Sequence, residues 1–276
     1  SLENKLFLLN DKINSIHEAL NSLDVFEMKV IDDVSSRMLS IETINKNSTK
    51  TLIAFGGMTQ GLSMPPKEFF KSLVHKNINI IFVKDFKQCW YQKGLLGKTS
   101  DIESSIEYLQ NIIPKNTEKL VALGASAGGY AAIRFGLALN ADRIIAFSPQ
   151  TLIDQETASV FSKSCLRDMV FDKIDLDLKK ILDKYNPKIK IEIYFAGNNN
   201  RDKIAVDHIK DYVKEFSYET DTHLLASYLK KKGLLEGRWI VKNKQSFSQP
   251  SFLKTEIVDG KISFEFSVDI DPVKLD

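Results

Sequence analysis

Three residues fall in an order that suits nucleophilic acyl transfer: Ser126, Asp202 and His223. A serine hydroxyl becomes a useful nucleophile when a base within hydrogen-bond reach takes its proton, and that base needs an acid to fix its tautomer. Ser126 carries the most specific signal. It sits in Gly124-Ala-Ser-Ala-Gly128, after the apolar run Leu120 to Leu123 and before a helical run from about Ala127. A serine on a sharp strand-to-helix turn is a nucleophile elbow. The turn demands small neighbours two residues either side, which Gly124, Gly128 and Gly129 supply. The following helix would aim its free N–H groups at a developing oxyanion. A dinucleotide fingerprint is excluded, because Ser126 stands where that motif needs glycine.

The base follows by elimination among four histidines. His17 belongs to an N-terminal helical pattern, and His75 ends a crossover helix on the far side of the elbow. His208 lies on the face of a later helix, where a structural or surface role suits it. His223 remains, in a loop just before the helical run Leu224 to Lys232. For the acid, Asp202 follows a strand through a Gly197-Asn-Asn-Asn loop, with Asp207 as the alternative inside a helix.

The elements that must hold these residues are legible as an alternation. Thr51–Phe55, Ile78–Val83, Leu120–Leu123, Arg143–Phe147 and Ile189–Phe195 are compact apolar runs of the kind expected for buried parallel strands. Helical patterns separate them: Pro66 to His75, Asp101 to Ile113 with Ser100 and Glu103 as a capping box, and Ile204 to Phe216. Residues 152–184 have helical patches and no strand, and read as a cap. A 1–23 helix with apolar residues at three- and four-residue steps precedes the domain, and a hairpin pattern spans Val25 to Ile44. Past Gly237 the period becomes two, with Asp259-Gly260 as a hairpin turn, so 236–276 reads as a small β appendage. The expected organisation is therefore 1–23, 24–235 and 236–276.

Composition narrows the partners. The 276-residue chain has a formal net charge of +2, with acids and bases interspersed, which suggests no nucleic-acid footprint. The triplet Lys230 to Lys232 reads as a solvated helix end. No apolar run is long enough to span a membrane. Cys89 and Cys165 lack metal or redox spacing, which fits thiols in a reducing compartment and a cytoplasmic setting. The first residue is Ser1, as in a trimmed chain with its targeting segment removed. Gly97-Lys98-Thr99 has the tail of a phosphate-binding loop but lacks its first glycine and its strand.

The elbow, the order Ser126…Asp202…His223 and the glycine pair after Thr51–Phe55 together resemble the α/β-hydrolase superfamily, over roughly residues 24 to 235. The run Ala146-Phe-Ser-Pro-Gln150 is also similar to bacterial serine esterases and acyltransferases tied to surface polysaccharides. The resemblance implies an α/β fold: a mostly parallel central sheet flanked by helices, with a helical cap insertion and the β appendage. It implies an oxyanion hole built from the N–H of Ala127 and that of Gly57 or Met58, in the Gly56-Gly-Met-Thr-Gln-Gly61 loop. One departure stands out: the strand this fold places between the acid's helix and the histidine is reduced here to Phe216–Tyr218.

The expected activity is acyl transfer with no cofactor and no metal, on a small ester or an acylated carbohydrate. Hydrolysis, O-acetyl transfer to a polysaccharide, and a non-catalytic scaffold that assembles through its terminal segments are the readings left open. Trp90 and Tyr91, in the long loop leaving Ile78–Val83, either line a substrate pocket or plug the sheet edge.

Overall fold

The computed structural model describes residues 39–70, 73, 77–161, 174–185, 189–236, 254–258 and 261–265. The expected N-terminal helix, the first half of the leading hairpin and Arg238 to Val241 lie outside these residues.

A seven-stranded sheet forms the centre. In chain order its strands are β1 (Ile41–Ile44), β2 (Lys50–Phe55), β3 (Asn79–Val83), β4 (Lys119–Ala125), β5 (Arg143–Phe147), β6 (Lys190–Ala196) and β7 (Lys214–Tyr218). They lie side by side as β1-β3-β2-β4-β5-β6-β7. Only β1 runs antiparallel, pairing Ile41 with Val83. The other pairs are parallel, so their crossovers return through helices and cover both faces. This is why β2 to β6 read as continuous apolar runs: both faces of each are buried.

The flanking helices are α1 (Pro66–Phe70), α2 (Ile102–Ile112), α3 (Ala127–Ala138), α4 (Gln155–Phe161), α5 (Leu178–Tyr185), α6 (Asn200–Ile209) and α7 (Leu225–Lys231). Helix α3 runs through the middle of the core, buried along nearly its whole length. Gly136 lets it approach the sheet, since a Cβ there would sit 2.8 Å from Ile144. The capping box of α2 falls one residue later than expected: Asp101 is the cap, and Ser104 answers it. Serine at Ser104 donates to the Asp101 carboxylate at the position where glutamate was anticipated three residues after Ser100.

The anticipated helix Ile204 to Phe216 is in fact two elements. Helix α6 starts at Asn200 and stops at Ile209, and β7 follows as a full five-residue edge strand. Lys214 and Glu215 are exposed, as befits an edge, and only Phe216 and Tyr218 turn inward. That sparse apolar signal hid the strand. The departure noted from the sequence is thereby corrected.

Between β5 and β6 the described residues include α4, a short 3-10 turn at Ile174–Leu176 and α5. The 174–185 part packs into the main core through Leu176, Leu178, Ile181 and Leu182. Arg134 of α3 anchors it, its Nε donating to Asp175 Oδ1 at 2.7 Å. In the sheet interior, Arg143 on β5 pairs with the buried Glu192 on β6. Burial pushes the Glu192 carboxyl up, but the charges and hydrogen bonds of Arg143 and Lys190 together outweigh it and hold the group below its ordinary range. At the C-terminal side, β8 (Leu235–Glu236), β9 (Lys254–Val258) and β10 (Lys261–Glu265) form a second sheet in the order β8-β10-β9. The β9–β10 pair is antiparallel, with Lys261 opposite Val258.

Candidate active site

Ser126 occupies the point where β4 ends and α3 begins. Its backbone has φ 57° and ψ −122°, a strained conformation for a residue with a side chain. The turn closes so tightly that a Cβ on Gly124 would lie 1.9 Å from the Gly128 carbonyl oxygen. A Cβ on Gly128 would lie 2.0 Å from the carbonyl oxygen of Phe55. Both positions therefore admit only glycine. The backbone N–H of Ser126 donates to the Phe147 carbonyl of β5 at 2.9 Å, locking the elbow to its neighbour strand.

The three residues drawn from the sequence meet here. His223 Nε2 lies 2.9 Å from Ser126 Oγ, and His223 Nδ1 lies 2.7 Å from Asp202 Oδ1. Asp202 is 3% exposed. It sits on the first turn of α6 rather than in the loop before it, and its other oxygen accepts from the Ala196 N–H. Asn199 caps α6 by accepting from the N–H groups of Arg201 and Asp202. Its amide also donates to the Asp221 carbonyl at 2.8 Å, tying the acid's helix to the histidine's loop. Thus β7, legible in the sequence only as Phe216–Tyr218, is what leads to His223: it pairs with β6 and releases the chain beside Asp202.

Two backbone N–H groups complete the setting. Ala127 opens α3, so its N–H has no partner within the helix. In the glycine-rich loop, the N–H of Gly57 donates to the Gly61 carbonyl at 2.8 Å and is committed. The N–H of Met58 finds no acceptor among the described residues. Of the pair left open by the sequence, Met58 is the available donor. Gly57 instead brings the loop against the elbow, where an added Cβ would lie 3.8 Å from Ser126 Cβ.

Trp90 and Tyr91 are both 0% exposed and packed in the main core, which departs from the pocket-lining expectation. Tyr91 donates from its hydroxyl to the carbonyls of Gly56 and Val83. Trp90 donates from its indole to Gln150 Oε1 at 2.7 Å. Their loop folds over Asp85, whose carboxylate accepts from the N–H groups of Cys89 and Tyr91. Burial pushes the Asp85 carboxyl up, against the pull of those N–H groups. Cys89 is disulfide-bonded, so the expectation of thiols from cysteine spacing is overturned; Cys165 lies outside the described residues.

A cleft of about 450 Å³ opens on the other side of the histidine, lined by Asp202, His223, Gln150, Leu152, Arg201 and Ile204 among others. His208 also lines it, contacting Thr151 Oγ1 at 3.2 Å and Asp177 Oδ1 at 3.3 Å. It is a structural link between α6 and the segment before α5. Among the described residues, no cluster of side chains could hold a metal ion, and no helix is long and apolar enough to cross a membrane.

No protein-family model matches the chain, and no curated protein sequence matches it. Solved structures do. The capsule O-acetyltransferase of Neisseria meningitidis serogroup A aligns over 70% of this chain and 89% of its own, with a TM-score of 0.53 at 18% identity. An S-formylglutathione hydrolase from Agrobacterium tumefaciens aligns over 70% of this chain and 86% of its own (TM-score 0.49, 12% identity). A Pyrococcus furiosus esterase aligns over 71% and 82% (TM-score 0.47, 16% identity). Identities this low speak to the fold, and the first comparison carries it. The chain has the α/β-hydrolase fold.

Proposed function

We propose that this protein is a serine-dependent acyl-transfer enzyme, acting as an esterase through an acyl-enzyme. The observation that carries the reading is the unbroken hydrogen-bond chain Ser126–His223–Asp202, mounted on a strained elbow beside two N–H groups that have no acceptor among the described residues. Strain at one serine is costly to the fold and is expected where the hydroxyl must be presented.

In this mechanism Ser126 Oγ attacks an ester carbonyl while its proton passes to His223 Nε2. Asp202 accepts the Nδ1–H bond and stabilises the imidazolium. The N–H groups of Met58 and Ala127 take the negative charge on the carbonyl oxygen. The C–O bond to the leaving group then breaks, and the departing alkoxide takes the proton from His223. Water, deprotonated by the same imidazole, attacks the acyl-enzyme, releasing the acid and restoring the Ser126 hydroxyl. A carbohydrate hydroxyl in place of that water would make the reaction O-acetyl transfer. That second reading is favoured by the fold likeness to a capsule O-acetyltransferase and by an open cleft beside His223 with room for an acceptor. A non-catalytic scaffold fits poorly, since nothing in assembly requires the strained serine or the intact hydrogen-bond chain.

The test is turnover of p-nitrophenyl acetate by the wild type and by Ser126→Ala, with and without added oligosaccharide. Loss of turnover in the variant supports the reading, and acetylated oligosaccharide would favour transfer over hydrolysis. Equal turnover by the two proteins refutes Ser126 as nucleophile.

A further inference from the structure

Resting on that reading, we infer that Gln88 is a positioning residue, whose side-chain amide braces the turn that presents the Met58 N–H to the oxyanion. Two side chains converge on the Met58 carbonyl oxygen. Gln60 Nε2 donates to it at 2.9 Å, and Gln88 Nε2 donates to it at 2.8 Å from a different loop. Gln60 Nε2 also donates to the Asp85 carbonyl at 3.2 Å, linking the same two loops a second time.

The geometry of the peptide unit makes this matter. A trans peptide is planar, so its N–H points opposite to its C=O. The Gly57 carbonyl accepts from the Gln60 N–H at 2.8 Å. The Met58 N–H belongs to that same plane and is thereby turned away from the loop interior. The next plane, which holds the Met58 carbonyl, is fixed by the two glutamine amides. Met58 is clamped on both sides, and its N–H keeps one direction without a partner of its own. An oxyanion donor works by being oriented before the charge appears.

Gln88 is badly placed for a residue that only builds the fold. Its φ is 51°, in the left-handed region where glycine is at home. Its neighbours Trp90 and Tyr91 share that strain at φ 52° and 64°, but both are buried and held by the core. Gln88 is exposed, and the bond to Met58 is the only one its side chain makes among the described residues.

That conformation supplies a decisive variant. Gln88→Gly removes the amide while relieving the backbone, so stability should hold or rise. The expected result is a roughly 10-fold lower kcat, below the 10²–10³ typical of deleting an oxyanion donor outright, with KM for a p-nitrophenyl ester within about twofold. Affinity for a trifluoromethyl ketone, which mimics the tetrahedral intermediate, should fall by the same factor as kcat/KM. Gln88→Glu keeps the shape but places an acceptor against a carbonyl, and should lose at least as much. An unchanged kcat in Gln88→Gly overturns the inference while leaving the acyl-transfer reading intact. A kcat loss that tracks a lowered Tm also overturns it, making Gln88 an ordinary structural brace. A wild type that turns over no ester overturns the parent reading and this inference together.

Discussion

On the β2–β3–β4 side of the sheet's carboxyl edge, the loops are closed and strained. Gln60, Ser63, Gln88, Trp90, Tyr91 and Ser126 all have positive φ there, and Trp90 and Tyr91 are wholly buried. On the β5–β6–β7 side of that edge, Ser148 alone among the described residues has positive φ. Its loops are secured instead by side-chain caps such as Asn199, and they frame a cleft with Leu152 and Ile204 exposed. The contrast fits a division of labour. In the proposed mechanism the closed side holds the nucleophile and the oxyanion donors, which gain from having one fixed geometry, and the open side holds the acid and base and leaves room for what must enter and depart.

This division can be probed one side at a time. The largest effect is expected at the junction of the two. Asp202→Asn should leave the fold intact and lower kcat by roughly 10⁴-fold, because the amide favours the wrong histidine tautomer. Steady-state kinetics beside a melting curve would check this, and a near-normal rate would move the acid to another carboxylate.

A smaller and opposite effect is expected on the closed side. Ser126→Gly should raise stability by about 1–2 kcal/mol, because glycine adopts φ 57° without strain. Turnover would be lost at the same time. Chemical denaturation of both proteins measures it, and equal stability would mean that the elbow stores no strain.

The smallest effect belongs to the open side. Burial pushes the His208 imidazole below its ordinary pKa, with Lys179 in support and Asp177 in opposition. Its folded pKa lies below the unfolded one, so the unfolded chain takes up the proton first, and stability falls as pH drops below about 6.5. His208→Gln should remove that increment, about 0.5 kcal/mol or less for so exposed a site. Denaturation midpoints at pH 7.5 and pH 5 would show a smaller drop in the variant; an equal drop would mean that His208 titrates alike in both states.

Much of the closed side was legible in the sequence. Gly124 and Gly128, two residues either side of Ser126, announce the elbow because steric demands leave no other residues at those two positions, and β2 to β6 announce themselves because burial on both faces leaves only apolar types. The histidine and acid followed from order and elimination. What escaped was information that lives in tertiary contact. Strand β7 shows a weak pattern because an edge strand buries one face. Trp90 and Tyr91 look alike in sequence whether they plug a core or line a cleft. Gln60 and Gln88 are unremarkable polar residues until two loops meet at the Met58 carbonyl.

The central claim is that Ser126 is an activated nucleophile, and intact-protein mass after brief exposure to a fluorophosphonate tests it most directly. The account predicts one phosphonyl adduct on the wild type and none on Ser126→Ala. A wild type that gains no mass, or a Ser126→Ala protein that gains the same adduct, would contradict it.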